Sequence, residues 1–209
     1  AAGTPAIDAP YLDMGDAAGL RRETEEARRD GFSGKLAVHP DQAAIINDVS
    51  AGRDDPALLP LAARRGAAVI LMHMLGRPRD MQAAPRYDDV VVEVRDFLAG
   101  RLDAAVAAGV PRGRCIVDPG IGFGKTLEHN LALLAGIDAL AALGVPILVG
   151  PSRKRFISAV VGDTGPDQRL GGTLAAVCAT YLKGATLFRV HDVAPARQAL
   201  AVLRAIVEA

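Results

Sequence analysis

The chain of 209 residues has no tryptophan, few aromatic residues and only two cysteines. Half of its residues are hydrophobic but only 4% are aromatic, so its core must be built from aliphatic and alanine side chains. This composition favours packed helices and parallel strands over an aromatic-rich β-sandwich. The length suits a single domain over residues 1–209, with enough chain to bury a sizeable core.

The sequence also lacks an excess of charge, long apolar runs and metal-ligand spacing. Basic and acidic residues number 24 each, so we expect neither nucleic acid nor an anionic membrane as a partner. No apolar run approaches the ~20 residues of a membrane helix, and the N-terminus has no signal-peptide pattern. Cys115 and Cys178 lie in apolar stretches, which predicts reduced thiols in a cytoplasmic protein. The four histidines are not spaced as metal ligands, so no metal site is predicted from these residues.

The most distinctive stretch is residues 118–125, which read DPGIGFGK after an apolar run. One interpretation is a tight strand-to-helix turn in which Asp118 makes local hydrogen bonds. The other is a ligand site, because glycines let the backbone approach a ligand and the next helix N-terminus favours an anion. The spacing of these residues matches neither a P-loop nor the dinucleotide-binding fingerprint.

Apolar strand-like runs alternate with helical patterns, including helices expected at 17–30 and 127–143, which predicts a parallel sheet. Nearly every candidate strand ends in polar residues, namely His39, Asn47 and Asp48, His73, Asp118, residues 152–154 and residues 189–192. That layout is typical of a (β/α) barrel, whereas a doubly wound sheet concentrates its chemistry at one switch point. We therefore predict an α/β fold of TIM-barrel type, incomplete because we find about seven βα units where a closed barrel has eight.

In such a barrel Asn47, Asp118 and Lys154 would converge at one mouth. A carboxylate accepts hydrogen bonds, a carboxamide donates and accepts, and a lysine donates, so together they suit a flat heterocycle with amide and amino edges. The alternatives are a turn or helix-cap role for Asn47 and a surface position for Lys154 and Arg155.

Arg189 and His191 lie two residues apart on the last predicted strand, so their side chains are expected to point the same way. With Arg153 or Lys154 nearby they would form a cationic rim for phosphate. The alternative is a solvated, charged strand end.

Five segments, taken together, resemble the dihydropteroate synthases, the (β/α)8 enzymes of folate synthesis that sulfonamides target. The segments are residues 46–52 (INDVSAG), 69–73 (VILMH), 118–125 (DPGIGFGK), 150–156 (GPSRKRF) and 189–193 (RVHDV). The resemblance spans residues 44–209. It implies a transferase that condenses 6-hydroxymethyl-dihydropterin pyrophosphate with p-aminobenzoate.

The resemblance also implies roles for individual residues. The pterin pocket would be lined by Asn47, Val49, Ile70, Met72, Asp118, Gly150 and Lys154. Arg189 and His191 would hold the departing pyrophosphate and share the catalytic role with Lys154. Phe123 and Arg155 would border the p-aminobenzoate site. Mg²⁺ is expected for the family.

Residues 1–43 depart from the family pattern. The family's first-strand Asn that helps to bind Mg²⁺, its loop Arg and its third-strand Asp are not found there. These residues resemble instead a late segment of the citrate lyase β-chain aldolases, which predicts a chimera joined near residues 42–46, with weak pterin affinity and little turnover. The alternatives are a non-catalytic barrel scaffold and a citrate lyase-type C–C lyase. The exposed edges of the first and last strands predict that the chain either self-associates there, as in a homodimer, or closes imperfectly.

Overall fold

A computed structural model of the protein describes the backbone of residues 7–11 and 34–37 and all atoms of residues 45–209. The described strands are β1 (Ile7–Tyr11), β2 (Gly34–Ala37), β3 (Ile45–Asp48), β4 (Ala68–Met72), β5 (Cys115–Asp118), β6 (Leu148–Val149) and β7 (Leu187–Phe188). The described helices are α1 (Leu58–Arg65), α2 (Val90–Ala107), α3 (Leu127–Ala135), α4 (Ile137–Ala141), α5 (Arg155–Val161), α6 (Leu170–Leu182) and α7 (Val193–Val207). Two short 3-10 turns lie at Arg112–Arg114 and Pro166–Gln168.

All of the strand pairings among these residues are parallel. Strands β1 to β5 pair in chain order, and β6 pairs with β7. A single bridge between Val117 and Ile147 joins the two groups. Helices lie between β3 and β7 in chain order, so the predicted α/β fold with parallel strands is confirmed.

The sheet is curved, and its curvature brings distant strands together. Arg189 follows β7 directly, and its Nη1 donates to Oδ1 of Asn47 on β3 at 2.9 Å. In a flat sheet these strands would be separated by four spacings of about 4.8 Å, which is more than an arginine and an asparagine can span. The ends of β3 and β7 therefore face each other.

Alternating strand residues pack on opposite faces of this curved sheet. One face forms a small inner cluster with one residue from each strand of β3 to β7, namely Ile45, Ile70, Ile116, Leu148 and Leu187. Val69 and Val117 belong to the other face, and they share a larger cluster with Leu98 and Leu102 of α2. Burial on both faces explains why β4 to β7 are apolar apart from Asp118 at the end of β5.

N-terminal capping residues explain where α2 and α3 begin. The carboxylate of Asp89 accepts hydrogen bonds from the backbone N–H groups of Val91 and Val92, which caps α2. Thr126 caps α3 in a reciprocal capping box with His129. This second cap sets the direction in which the chain leaves the glycine-rich stretch.

Several sequence predictions differ from the structure in detail. The helix expected at 127–143 is broken at Gly136 into α3 and α4. A side chain at this position would meet Val91, whose two methyl carbons would lie 2.9 and 3.0 Å from its β-carbon. The last two strands are much shorter than predicted, and α5 was not anticipated from the sequence. The predicted helix at 17–30 and the polar strand end at His39 lie outside the described residues.

The structure also describes both cysteines and the hydropathy of the helices. Cys115 and Cys178 are both free, as predicted. Among the helices of the described part, none is long and apolar enough to cross a membrane.

Candidate active site

Arg189 lies at the centre of a polar cluster formed by the C-terminal ends of the strands. Its guanidinium donates to Asn47 Oδ1 at 2.9 Å and to Asp118 Oδ2 at 2.7 Å. Asp118 is almost fully buried, and its other oxygen accepts from the backbone N–H of Gly120 at 2.7 Å. The structure thus brings Asn47 and Asp118 together, and it adds Arg189 between them.

Gly150 makes room for this guanidinium. A β-carbon at Gly150 would lie 3.1 Å from Arg189 Nη2, so a larger residue would push the guanidinium away. Met72 is fully buried beside the same cluster at the end of β4. Ile70, predicted as an apolar wall, faces the inner cluster of the sheet, while Val49 is 39% exposed in the turn after β3.

Lys154 stands at the start of α5, where its ammonium reaches across to the glycine-rich stretch. Nζ donates to the carbonyl of Ile121 and lies 4.8 Å from the centre of the Phe123 ring, which is a cation–π distance. Burial lowers the pKa of Lys154 to about 8, with Arg189 adding to the effect and Asp118 opposing it. This lysine is therefore charged at neutral pH and loses its proton in mildly alkaline solution.

Residues 120–124, the glycine loop, connect Asp118 to α3. Gly120, Gly122 and Gly124 all have positive φ, which turns successive peptide groups in different directions. At Gly120 the restriction is strongest, because a β-carbon would lie 1.9 Å from the carbonyl oxygen of His73. The loop conformation is therefore available only to glycine at this position.

Side chains around the glycine loop hydrogen-bond to its backbone. The amide oxygen of Asn130 accepts from Gly122 N–H at 2.6 Å, and Tyr87 donates to Gly124 O at 2.8 Å. Gln82 donates to Gly122 O at 2.6 Å. Hydrogen bonds with neighbouring side chains therefore hold the backbone of the glycine loop in place.

Lys125 is buried behind this loop, beside His73. Its Nζ lies 2.9 Å from His73 Nδ1. Burial lowers the pKa of His73 to about 3, with the charges of Lys125 and Arg53 contributing, so His73 is neutral and accepts from Lys125. Burial also lowers the pKa of Lys125 to about 7. The sequence did not predict the pairing of His73 with Lys125, and the only signal for Lys125 is its place directly after the third glycine of the loop.

The side chains of Arg189 and His191 were predicted to point the same way, but in the structure they contact different partners. Strand β7 ends at Phe188, so the alternation that would align these two side chains does not apply to them. Arg189 turns towards Asn47 and Asp118, whereas His191 is exposed and its Nδ1 lies 2.8 Å from Ser152 Oγ.

Arg153, another candidate for the cationic rim, is held by carboxylates. Its guanidinium forms two hydrogen bonds to Asp192, of 3.1 and 2.9 Å, and a third to Asp167 at 2.6 Å. Its backbone has φ of +56°, an uncommon value for a residue other than glycine. The hydrogen bond from Arg153 lowers the pKa of Asp192. Arg153 thus ties the segment after β6 to the segment after β7.

A cleft of about 910 Å³ opens between the glycine loop and α5, and Asn47, Asp118 and Arg189 do not line it. Its lining includes Phe123, Lys154, Arg155, Phe156 and Arg169. Phe123 and Arg155, which the family resemblance placed at the second substrate, therefore share one cleft with Lys154. Arg155 is exposed in the first turn of α5.

The family resemblance implies Mg²⁺. Within residues 45–209, no three carboxylate, imidazole or thiol groups lie close enough together to hold a metal ion. We therefore assign none of these residues to Mg²⁺.

Residues 35–191 match the family of pterin binding enzymes, and the chain therefore belongs to this family. Among curated proteins, the dihydropteroate synthase of Mycobacterium leprae is 49% identical over 171 residues, covering 78% of this chain and 60% of the relative. That of Escherichia coli is 40% identical over 177 residues, covering 85% of this chain and 60% of the relative. The chain thus spans about 60% of the length of these relatives.

Solved structures of dihydropteroate synthases superpose on nearly the whole chain. The Yersinia pestis enzyme, in a sulfonamide drug complex, has a TM-score of 0.82 at 31% identity, covering 99% of this chain and 81% of its own. The Thermus thermophilus enzyme has a TM-score of 0.81 at 40% identity, covering 96% and 83%. The Xanthomonas albilineans enzyme, in complex with 7,8-dihydropteroate, has a TM-score of 0.81 at 32% identity, covering 98% and 94%.

These comparisons bear on the interpretation of residues 1–43. The family match begins at residue 35, inside that segment, and the structural matches extend over 96–99% of the chain. They give no support to a citrate lyase-like segment or to a chimera.

Proposed function

We propose that the chain carries the substrate sites of a dihydropteroate synthase, which joins 6-hydroxymethyl-dihydropterin pyrophosphate to p-aminobenzoate. The observation that carries the proposal is the meeting of Asn47, Asp118 and Arg189 at the strand ends, next to a cleft that holds Lys154 and Phe123. The relatives at 40–49% identity support it, as do the Xanthomonas albilineans structures with 7,8-dihydropteroate and with 4-aminobenzoic acid.

In this proposal the pterin binds against Asp118 and Asn47. The buried carboxylate accepts from the amino and ring N–H groups of the pterin, while the carboxamide of Asn47 can both donate and accept. Lys154 donates to a ring heteroatom, and Met72 and Gly150 form the adjacent surface. Val49 supplies an apolar contact from the turn after β3, and Ile70 contributes through the inner cluster of the sheet rather than by direct contact.

Arg189 and His191 hold the pyrophosphate. The C–O bond to the pyrophosphate breaks with its electron pair leaving on the pyrophosphate oxygen. The arylamine nitrogen then attacks the cationic methylene and loses one of its protons. The contribution of the protein is electrostatic, because cationic side chains stabilise charge on the leaving group. Phe123 and Arg155 hold the arylamine in the cleft beside Lys154.

We also infer that the curved sheet belongs to a TIM-type barrel. The support is the approach of β3 and β7 across the sheet and the inner cluster formed by β3 to β7. The site then lies at the C-terminal ends of the strands, where the active sites of such barrels are built.

A two-stage experiment tests the proposed function. The protein is titrated calorimetrically with 6-hydroxymethyl-dihydropterin pyrophosphate, and p-aminobenzoate is then added while dihydropteroate is followed by mass spectrometry. We expect saturable binding at one site and slow product formation, since reduced turnover remains a prediction from the family motifs not found in residues 1–43. An ordered protein that binds no pterin would contradict the proposal and favour the non-catalytic scaffold.

A further inference from the structure

We infer that Lys125 is a positioning residue for the arylamine subsite, which fixes Phe123 through the backbone of the glycine loop without touching either substrate. Its effect on p-aminobenzoate rests on the proposed function. Its effect on the loop does not, and the two can be measured separately.

The contacts of Lys125 account for all of its donors. Nζ contacts His73 Nδ1 at 2.9 Å, Phe123 O at 2.9 Å and Gly120 O at 3.1 Å. In its protonated form the Lys125 ammonium has three N–H donors, and here each has an acceptor. Lys125 lies in the wall of the cleft and is only 4% exposed, and its three donors already have acceptors within the protein, so none is left for a ligand.

The glycine loop supplies the reason for burying a lysine. The turns at its positive-φ glycines leave the carbonyls of Gly120 and Phe123 both within reach of the Lys125 ammonium, the first buried and the second part-buried. Buried carbonyls need donors, and a side chain that reaches two of them at once holds the two ends of the loop at a fixed separation. Lys125 is only 4% exposed, and this burial lowers its pKa to about 7.

The loop positions Phe123 more than it positions Asp118. Asp118 lies on β5, in register with Met72 of β4, and its carboxylate has its own partners. Phe123 belongs to no strand or helix; its N–H donates to Gly120 O at 3.0 Å and its carbonyl accepts from Lys125. Loss of Lys125 should therefore displace the Phe123 ring, which faces Lys154 in the cleft, before it disturbs the pterin anchors.

The binding test compares three variants of the full chain. Lys125→Met keeps the side-chain length and removes all three hydrogen bonds. Lys125→Gln restores a donor without a charge, and Lys183→Met is the matched control at the far end of α6 from the cleft. With 6-hydroxymethyl-dihydropterin and pyrophosphate present, we expect Lys125→Met to raise the Kd for p-aminobenzoate by about tenfold. The Kd for the pterin pyrophosphate should change by less than about threefold, and Lys125→Gln should recover part of the loss.

Amide hydrogen exchange measured by NMR tests the loop directly and needs no ligand. In Lys125→Met the exchange of the Phe123 and Gly122 amides should accelerate by about tenfold or more, while amides of β4 and β5 stay protected. Equal acceleration in the strands would make Lys125 a general stability residue and overturn the inference. Unchanged loop exchange, or equal losses in pterin and arylamine affinity, would overturn it too. If hydrogen exchange accelerates only in the glycine loop but the protein binds no p-aminobenzoate, Lys125 still fixes the loop and the proposed function is refuted.

Discussion

Arg189 and Asp118 form an ion pair of 2.7 Å in which the carboxylate side chain is only 1% exposed. If a pterin binds through Asp118, it must reach a carboxylate that is almost fully buried and already paired with Arg189, and we expect the guanidinium to be the group that it displaces. Binding then requires Arg189 to turn away from Asp118 and Asn47. The pyrophosphate of the substrate offers a new anionic partner, so binding of the two parts of this substrate should be coupled through Arg189.

Removal of the Arg189 guanidinium should weaken binding of the pyrophosphate part of the substrate more than binding of the pterin part. In Arg189→Met, we expect the affinity for 6-hydroxymethyl-dihydropterin pyrophosphate to fall at least about tenfold relative to the affinity for 6-hydroxymethyl-dihydropterin. The reason is that only the first ligand carries a pyrophosphate, which offers Arg189 a new anionic partner when it leaves Asp118. Calorimetric titrations with both ligands measure the ratio. Arg204→Met on α7 is the control, and an unchanged ratio in Arg189→Met would refute the pyrophosphate role.

Two desolvated lysines should make the stability of the protein depend on pH. The pKa of Lys125 is lowered to about 7 and that of Lys154 to about 8 in the folded protein, from a usual value of 10.5. Between about pH 7 and 10.5 the unfolded chain binds more protons at these residues, so their contribution to the free energy of unfolding rises with pH. Below this window the desolvation penalty is present in full, and above it the penalty is gone.

Denaturant titrations at pH 7.5 and 9.5 measure this effect. We expect a higher midpoint at pH 9.5 and a smaller difference in Lys154→Met, which has lost one of the two titrating groups. A midpoint that falls equally in both proteins over this range would show that the lysines are not desolvated as described.

Gly120 should tolerate no side chain. In Gly120→Ala the β-carbon would meet the His73 carbonyl in a backbone conformation with φ of +67°, and we expect a loss on the order of 3 kcal/mol in the free energy of unfolding. Gly100→Ala is the matched control, because Gly100 lies exposed in α2 with open space around it. That change should stabilise the protein by about 0.5–1 kcal/mol. Thermal denaturation of both variants checks the prediction, and two similar shifts would contradict it.

Parts of this site could be predicted from sequence because parallel strands place their C-terminal ends together. Asn47 and Asp118 end two apolar strands, and the structure brings them to one guanidinium. The direction of Arg189 could not be predicted, since it depends on β7 ending at Phe188 and on the space above Gly150. The role of Lys125 was hidden for a similar reason: burial of a lysine depends on carbonyls that the turns at the glycines leave within its reach.

Self-association remains a prediction for the whole chain. Among the described strands, β1 pairs only with β2 and β7 only with β6, so each leaves one edge without a strand partner there. Such edges favour association with a second copy. We expect light scattering to give a mass near that of a homodimer, with a larger monomer fraction on dilution. A monomer at all concentrations would contradict this expectation.

The pterin affinity of Asp118→Asn tests the central claim most directly. The change keeps the shape of the side chain but replaces an oxygen that accepts from the pterin with an amide that donates. Calorimetric titration with 6-hydroxymethyl-dihydropterin pyrophosphate should show an affinity about 100-fold lower than in the unmodified protein. Asp96→Asn, on the exposed side of α2, should bind as the unmodified protein does. Equal affinities in the unmodified protein and Asp118→Asn would show that the pterin does not bind at Asp118.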